Sequence, residues 1–232
     1  MTRLRSLGAL SAALLAAACA ATSRTVDLPP APLPELAVPP DSATLAAADS
    51  VLVRLVTSRG EIDILLHRDW AARGAPRVAQ VVASGYYDGA RFFRALRGFV
   101  VQWGIPADTG LRRRWAQPLP DDTVRQSNRR GTVTFAAGGP NTRTAQLFVN
   151  LRDNPRLDAL GFAPVGEVVR GMDAVDSLYT GYGEGAPAGT GPTQGRIGAE
   201  GETYLARDFP LLDRIVRARI VRVYGPAAPA GD

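Results

Sequence analysis

Apolar positions along this chain fall into short runs broken by glycine and proline, and most runs have the two-residue period of strands. Val51 to Thr57 (V-L-V-R-L-V-T) and Glu61 to His67 (E-I-D-I-L-L-H) read as two strands, with Ser58-Arg59-Gly60 as a hairpin turn. Ala75-Pro76 opens a helix, since proline is tolerated in a first turn, and Val78, Val81 and Val82 give it an i, i+3, i+4 apolar face. Gly85 ends that helix, and Tyr86-Tyr87-Asp88-Gly89 is a turn.

The next stretch, Arg91 to Gly104 (R-F-F-R-A-L-R-G-F-V-V-Q-W-G), reads as two short strands joined at Arg97-Gly98. Arg94 and Gln102 are long polar side chains set into an apolar ribbon. If they share a surface with Phe99, the result is an apolar patch carrying one cation and one amide, the composition of a small-ligand site. The same residues also suit a core hairpin whose arginine reaches to the edge. Pattern alone leaves both open.

A polar, arginine-rich loop runs to about Arg130, followed by a strand from Gly131 to Ala136 and a turn over Gly138-Gly139-Pro140-Asn141-Thr142. Ala145 to Asn150 alternates as a strand with Gln146 and Phe148 on one face. Leu157 to Phe162 reads as a loop, Val165 to Val169 as a strand, and Gly171 to Tyr179 as a helix with Met172, Val175 and Leu178 apolar. Residues 181–213 are glycine-rich and nearly aperiodic, a long loop of the kind that is functional or packs over a domain. Ile215 to Tyr224 is a final strand. About eight strands and two helices argue for a mainly β fold, an antiparallel barrel with helices covering its ends.

Ahead of the domain, Met1 to Ser6 carries Arg3 and Arg5, and Leu7 to Ala18 is a run of apolar and small residues. That run is too short to span a bilayer and suits a secretory signal peptide over residues 1–18. Ala16-Ala17-Ala18-Cys19 resembles the bacterial lipoprotein processing box, with Ala16 where leucine is usual. In that class Cys19 is lipidated, which implies a membrane partner through an N-terminal lipid anchor and a domain held in the periplasm. An ordinary signal peptide cut at the same alanines is the alternative. Residues 19–48 hold Pro29, Pro30, Pro32, Pro34, Pro39 and Pro40 among alanines and read as an extended tether. The domain is then expected over 49–225 and a disordered tail over 226–232.

Composition narrows the chemistry. All 27 basic residues are arginine, so Schiff-base lysine chemistry and a lysine-bearing phosphate loop are excluded. One histidine, His67, and one cysteine, Cys19, exclude histidine–cysteine zinc sites and paired-histidine acid–base work. No metal and no cofactor are expected. A formal charge of +5 is too mild to argue for nucleic acid, and the runs Arg112-Arg113-Arg114 and Arg129-Arg130 read as solvated loops. A monomer is expected.

Three ordered blocks within residues 51–224 carry a resemblance. Phe92-Phe93-Arg94-Ala95-Leu96-Arg97-Gly98-Phe99-Val100-Val101-Gln102-Trp103-Gly104 is similar to F-H-R-x-[IV]-P-G-F-x-x-Q-G-G. Phe135 to Val149 (F-A-A-G-G-P-N-T-R-T-A-Q-L-F-V) is similar to [MF]-A-x-A-G-P-N-T-x-x-S-Q-F-F-I. Leu157-Asp158 and Val165-Gly166-Glu167-Val168 match a third block, L-D-x-x-x-x-x-F-G-x-V. The sequence thus resembles the cyclophilin-type peptidyl-prolyl cis-trans isomerases.

The resemblance implies a closed eight-stranded antiparallel barrel capped by two helices, with a groove on its outer face for proline-containing polypeptides. It implies Arg94 as the catalytic arginine, with Phe99 and Gln102 beside it, Gln102 holding the substrate carbonyl. Phe99, Phe148, Leu157, Phe162 and Val165 would border the proline pocket, and Ala136, Ala137 and Gln146 would contact the residues before the proline. With the N-terminal export signal it implies an isomerase of exported or envelope proteins; the altered Val165 and Arg156 offer the alternative of a non-catalytic module that holds proline segments. The sequence departs from the pattern at Phe93 (histidine in the family), Arg97 (proline), Trp103 (glycine), Val165 (phenylalanine) and Arg156 (tryptophan). These departures leave the level of activity open.

Overall fold

The computed structural model describes residues 33–106 and 109–225. The expected signal peptide, Cys19, the first part of the expected tether and the tail lie outside the described residues. Among the described residues the order is α1 (Ser42–Ala47), β1 (Ser50–Thr57), β2 (Gly60–His67), α2 (Gly74–Ala83), β3 (Arg94–Ala95), β4 (Val100–Trp103) and α3 (Thr109–Arg114). There follow β5 (Thr132–Phe135), β6 (Leu147–Asn150), α4 (Arg156–Ala159), β7 (Pro164–Arg170), α5 (Met172–Asp176), α6 (Gln194–Asp208) and β8 (Ile215–Tyr224).

The strands form one antiparallel sheet in the order β3-β4-β6-β5-β7-β2-β1-β8. It curls into a half-barrel and not the closed barrel that the resemblance implied. Among the described residues no ladder joins β3 to β8; an isolated bridge between Arg91 and Arg214 crosses that edge. The flanking bonds are Phe92 N–H to the Asp213 carbonyl (3.0 Å) and Ile215 N–H to the Ala90 carbonyl (2.8 Å). A strand of two residues cannot supply a continuous ladder to a ten-residue partner.

The inner face of the sheet is filled by alternate residues of the strands, among them Val53, Ile62, Val101, Trp103, Val133, Phe135 and Ile220. Helix α2 lays Val78, Ala79, Val81 and Val82 onto this core. Its first turn is closed from a distance, because Asp122 Oδ1 and Oδ2 accept from the N–H groups of Arg73 and Gly74, each at 2.9 Å. Those are two of the donors that a helix start leaves unpaired. On the outer side, Arg54 and Asp63 sit opposite one another on β1 and β2 and are both buried. Their paired hydrogen bonds, 2.7 and 3.0 Å, keep two desolvated charges matched.

Six helices stand among the described residues where two were expected. Short α3 and α4 occupy expected loops, and two longer segments also depart from the sequence reading. Part of the expected tether belongs to the domain. Leu36 N–H donates to the Ile220 carbonyl (3.0 Å), Asp41 caps α1 through Thr44 N–H (2.7 Å), and Leu45 is buried in the core. The proline-rich composition concealed a six-residue helix whose cap and buried leucine anchor stand just after Pro40. The expected loop 181–213 likewise contains α6, which bends at Gly201 (φ 60°). Ile197, Tyr204 and Leu205 of α6 join Phe93, Phe209 and Leu212 in a second apolar cluster, against which Ile105 and Tyr182 pack. Phe93, where the family pattern has histidine, is therefore an anchor for the segment 181–213.

Candidate active site

Strand register assembles the site. Arg94 on β3 lies opposite Gln102 on β4, and Gln102 lies opposite Phe148 on β6. Residues directly opposite on neighbouring strands project to the same face, so the three form a row across the outer surface of the sheet. The two-residue period sends Val101 and Trp103, on either side of Gln102, into the core, where they are 0% and 2% exposed. Trp103 fills that space edge-on against Tyr87 and Phe92, with ring centroids 6.4 and 5.7 Å away. A bulky core residue thus replaces the signature glycine without entering the row.

The loops supply the rest. Gly98, at φ 66°, turns the chain between β3 and β4, in a left-handed conformation that glycine adopts without penalty. Phe99 follows, held by its N–H to the Leu96 carbonyl (2.9 Å) and by its carbonyl, which accepts from Leu151 N–H (2.9 Å) and Asn154 Nδ2 (3.2 Å). Helix α4 and the turn after it carry Leu157 and Phe162. Asp158 ties this turn down, accepting from Ser127 Oγ (2.6 Å), Asn128 N–H (2.9 Å) and Asn128 Nδ2 (2.7 Å). Asn128 Nδ2 also donates to the Phe162 carbonyl at 2.7 Å. Partial burial raises the Asp158 pKa, and the hydrogen bonds from Ser127 and Asn128 outweigh it, leaving the carboxyl below its ordinary value.

These elements enclose a groove of about 370 Å³ lined by Arg94, Phe99, Gln102, Ala136, Ala137, Phe148, Leu157 and Phe162, with Val100, Glu184 and Gln194 completing it. Its apolar end is a set of rings: Phe148 and Phe162 meet edge to face at 5.9 Å, and the Arg94 guanidinium stands 6.0 Å from the Phe99 ring. A larger cavity of about 490 Å³ lies between α6 and the sheet, but it lacks this convergence of cation, amide and rings. Of the residues singled out from sequence, Gln146 joins the groove through its hydrogen bonds to Gln102 and Gln194, and Val165 stands outside it. Val165 is fully buried in the main core, where a Cβ on Gly74 would lie 2.7 Å from its Cγ1. Its alternation on β7 points inward, so the expectation that it forms a pocket wall is corrected.

A line of hydrogen bonds runs along the groove floor. Arg94 Nη1 donates to Gln102 Oε1 (3.2 Å), Gln102 Nε2 to Gln146 Oε1 (2.8 Å), and Gln146 Nε2 to Gln194 Oε1 (3.0 Å). Arginine can only donate, so each amide accepts on the side toward Arg94 and donates away from it. At the other end, Arg94 Nε lies 2.8 Å from both Glu184 oxygens and Nη2 lies 2.7 Å from Oε2. The Arg94 hydrogen bond holds the Glu184 carboxyl below its ordinary 4.5, against partial burial, which acts the other way. Glu184 and Gln194 were not anticipated from sequence. Both sit in the glycine-rich stretch, where no periodicity marks which side chain faces the sheet.

Comparison with known proteins agrees with this geometry. A family model described as cyclophilin type peptidyl-prolyl cis-trans isomerase/CLD matches residues 52–194, more than half of the chain. The chain belongs to this family. It is 34% identical over 131 residues to peptidyl-prolyl cis-trans isomerase CYP18-1 of Arabidopsis thaliana, covering 54% of this chain and 81% of that protein. A peptidyl-prolyl cis-trans isomerase of Acinetobacter baylyi is 30% identical over 138 residues, covering 57% of this chain and 73% of that one. Among solved structures, a Cryptosporidium parvum cyclophilin type peptidyl-prolyl cis-trans isomerase superposes with a TM-score of 0.55 at 19% identity, covering 78% of this chain and 99% of that chain. The cyclophilin AquaCyp293 of Hirschia baltica superposes with a TM-score of 0.54 at 18% identity, covering 77% and 78%. This cyclophilin is a peptidyl-prolyl cis-trans isomerase acting on proline-containing polypeptides. Its 181–213 segment extends beyond the matched region, and with Gln194 at the boundary it reaches back into the groove.

Proposed function

We propose that Arg94 performs the isomerisation by donating to the prolyl nitrogen while the peptide bond twists. The observation that carries this reading is the row Arg94–Gln102–Phe148, which sets a cation, an amide and an apolar wall on one face of the sheet. A peptide C–N bond resists rotation by about 18–20 kcal/mol because the nitrogen lone pair is delocalised. X–Pro bonds exchange over tens of seconds or more without help. No proton is removed and no covalent bond is made. A donor aimed at the nitrogen localises the lone pair in the twisted state, and arginine does so without losing its charge. The contact accelerates the reaction only if it is stronger in the twisted state than in either planar one, and each factor of ten requires about 1.4 kcal/mol of that difference.

The groove divides the remaining work. Phe99, Phe148, Leu157 and Phe162 hold the pyrrolidine ring still, and Gln102 holds a substrate carbonyl through the N–H that it does not give to Gln146. Ala136 and Ala137 line the path of the residues before the proline. The test is acceleration of a proline-limited peptide isomerisation, with Arg94→Ala as the control.

The setting proposed is the cell envelope. Leu7 to Ala18 followed by Cys19 supports export and lipidation, with residues that follow Cys19 linking the anchor to the domain, and X–Pro bonds of exported proteins as targets. Membrane fractionation of the wild type against Cys19→Ser tests this; release of the variant alone from the membrane fraction is the expected result.

A further inference from the structure

We propose that Glu184 is a positioning residue that clamps Arg94 side-on and so aims the remaining guanidinium donors into the groove. This rests on the role given to Arg94 above. The contact is more than a chance ion pair, because it occupies both oxygens of the Glu184 carboxylate. Glu184 Oε1 accepts from Arg94 Nε (2.8 Å) and from Gly185 N–H (3.0 Å). Oε2 faces Arg94 Nε (2.8 Å) and Nη2 (2.7 Å). A carboxylate offers about four lone-pair directions, so little capacity is left for a cationic substrate side chain. This argues against a specificity site for basic peptides.

The guanidinium is divided in the complementary way. Of its five N–H groups, Glu184 takes the one on Nε and one on Nη2, and Gln102 takes one on Nη1. Among the described residues, one N–H on each of Nη1 and Nη2 then carries no protein partner. Because Glu184 takes the Nε side of Nη2, the free N–H of Nη2 lies on the Nη1/Nη2 edge of the guanidinium, and Arg94 and Gln102 both line the groove. A side-on carboxylate and an amide on Nη1 fix the plane of a group that otherwise rotates about several bonds, and a donor already in place loses less on meeting the twisted bond.

The backbone is built to hold Glu184 there. Its carbonyl accepts from Gly191 N–H at 2.7 Å, and Gly185 bridges Gly191. A Cβ on Gly189 would come within 2.4 Å of that carbonyl oxygen and one on Gly191 within 2.9 Å, so the turn closes tightly around it. On the other side Tyr182 stands edge-on to Tyr179 and to Phe209, each with centroids 5.0 Å apart, which ties the loop to the second apolar cluster.

The experiment separates binding from rotation. Peptide affinity is measured by NMR titration and the on-enzyme cis–trans rate by exchange spectroscopy, using a short peptide with an Ala–Pro bond. Wild type, Glu184→Gln, Glu184→Ala and Arg94→Ala are compared, with amide spectra as the control for folding; the isosteric Gln variant guards against local collapse. Both Glu184 variants are expected to slow the on-enzyme rate about tenfold, equivalent to about 1.4 kcal/mol, with affinity changed less than about threefold. An unchanged rate in both overturns the proposal, and so does a faster rate with tighter binding, which would make Glu184 an obstruction. If Arg94→Ala abolishes rotation while the Glu184 variants do not, only the clamp falls. If Arg94→Ala has no effect, the underlying reading falls with it.

Discussion

Phe93 and Ile197 are buried together, at 2% and 1% exposure, in an apolar cluster separate from the main core. Phe93 immediately precedes Arg94, and Ile197 lies three residues after Gln194, so one cluster fixes both the strand that carries Arg94 and the helix start that touches the groove.

Truncating this contact should therefore loosen the segment 181–213 along with the fold. Phe93→Ala is expected to cost about 3–5 kcal/mol, the usual range for an emptied phenylalanine site. Thermal melting measures the total, and hydrogen exchange should show α6 losing protection before β1 and β2.

The polarity of the amide line makes a second prediction. Gln102→Glu keeps an acceptor toward Arg94 but removes the donor toward Gln146 and toward a substrate carbonyl. Peptide affinity should fall, by about tenfold for a lost hydrogen bond of about 1.4 kcal/mol, while the fold stays intact. NMR titration against the amide spectrum of the wild type checks both parts.

The acid limb follows from Glu184. Its pKa is lowered chiefly by the Arg94 hydrogen bond, so the ion pair's contribution is fully present above 4.5 and is lost as pH falls through the lower, folded-state value. The isomerisation rate should not respond to this group between neutrality and 4.5 and should decline below it. Glu184→Gln should remove that inflection from the pH profile while leaving the general acid unfolding in place.

Val165 provides a negative test of the groove. Restoring the family phenylalanine there would push a ring into a fully buried site already packed closely against Gly74. Val165→Phe should destabilise the protein by about 1–3 kcal/mol, as overpacked cores do, and leave peptide affinity unchanged. Tighter peptide binding would return Val165 to the pocket.

What could be read from the residues was what alternation and spacing record. The two-residue period placed Gln102 apart from Val101 and Trp103, and put Gln146 and Phe148 on one face; register then brought Arg94 to them. Long-range partners left no such trace. Asp122 closes α2 from far along the chain, and Glu184 reaches Arg94 from a glycine turn with no pattern. Helix α6 was hidden for a different reason. Ile197, Tyr204 and Leu205 have helical spacing, but Gly195, Gly198 and Gly201 interrupt the run and lower its intrinsic preference. Barrel closure failed at β3, whose two residues offer β8 no continuous ladder.

The central claim is that Arg94 drives rotation about the X–Pro bond, and the most direct measurement is the on-enzyme isomerisation rate of wild type against Arg94→Ala at matched peptide occupancy. The account predicts acceleration by the wild type and a loss of at least about a hundredfold in the variant, equivalent to about 2.7 kcal/mol, with the peptide still bound. Equal rates in the two proteins, or binding by the wild type without acceleration, would contradict it.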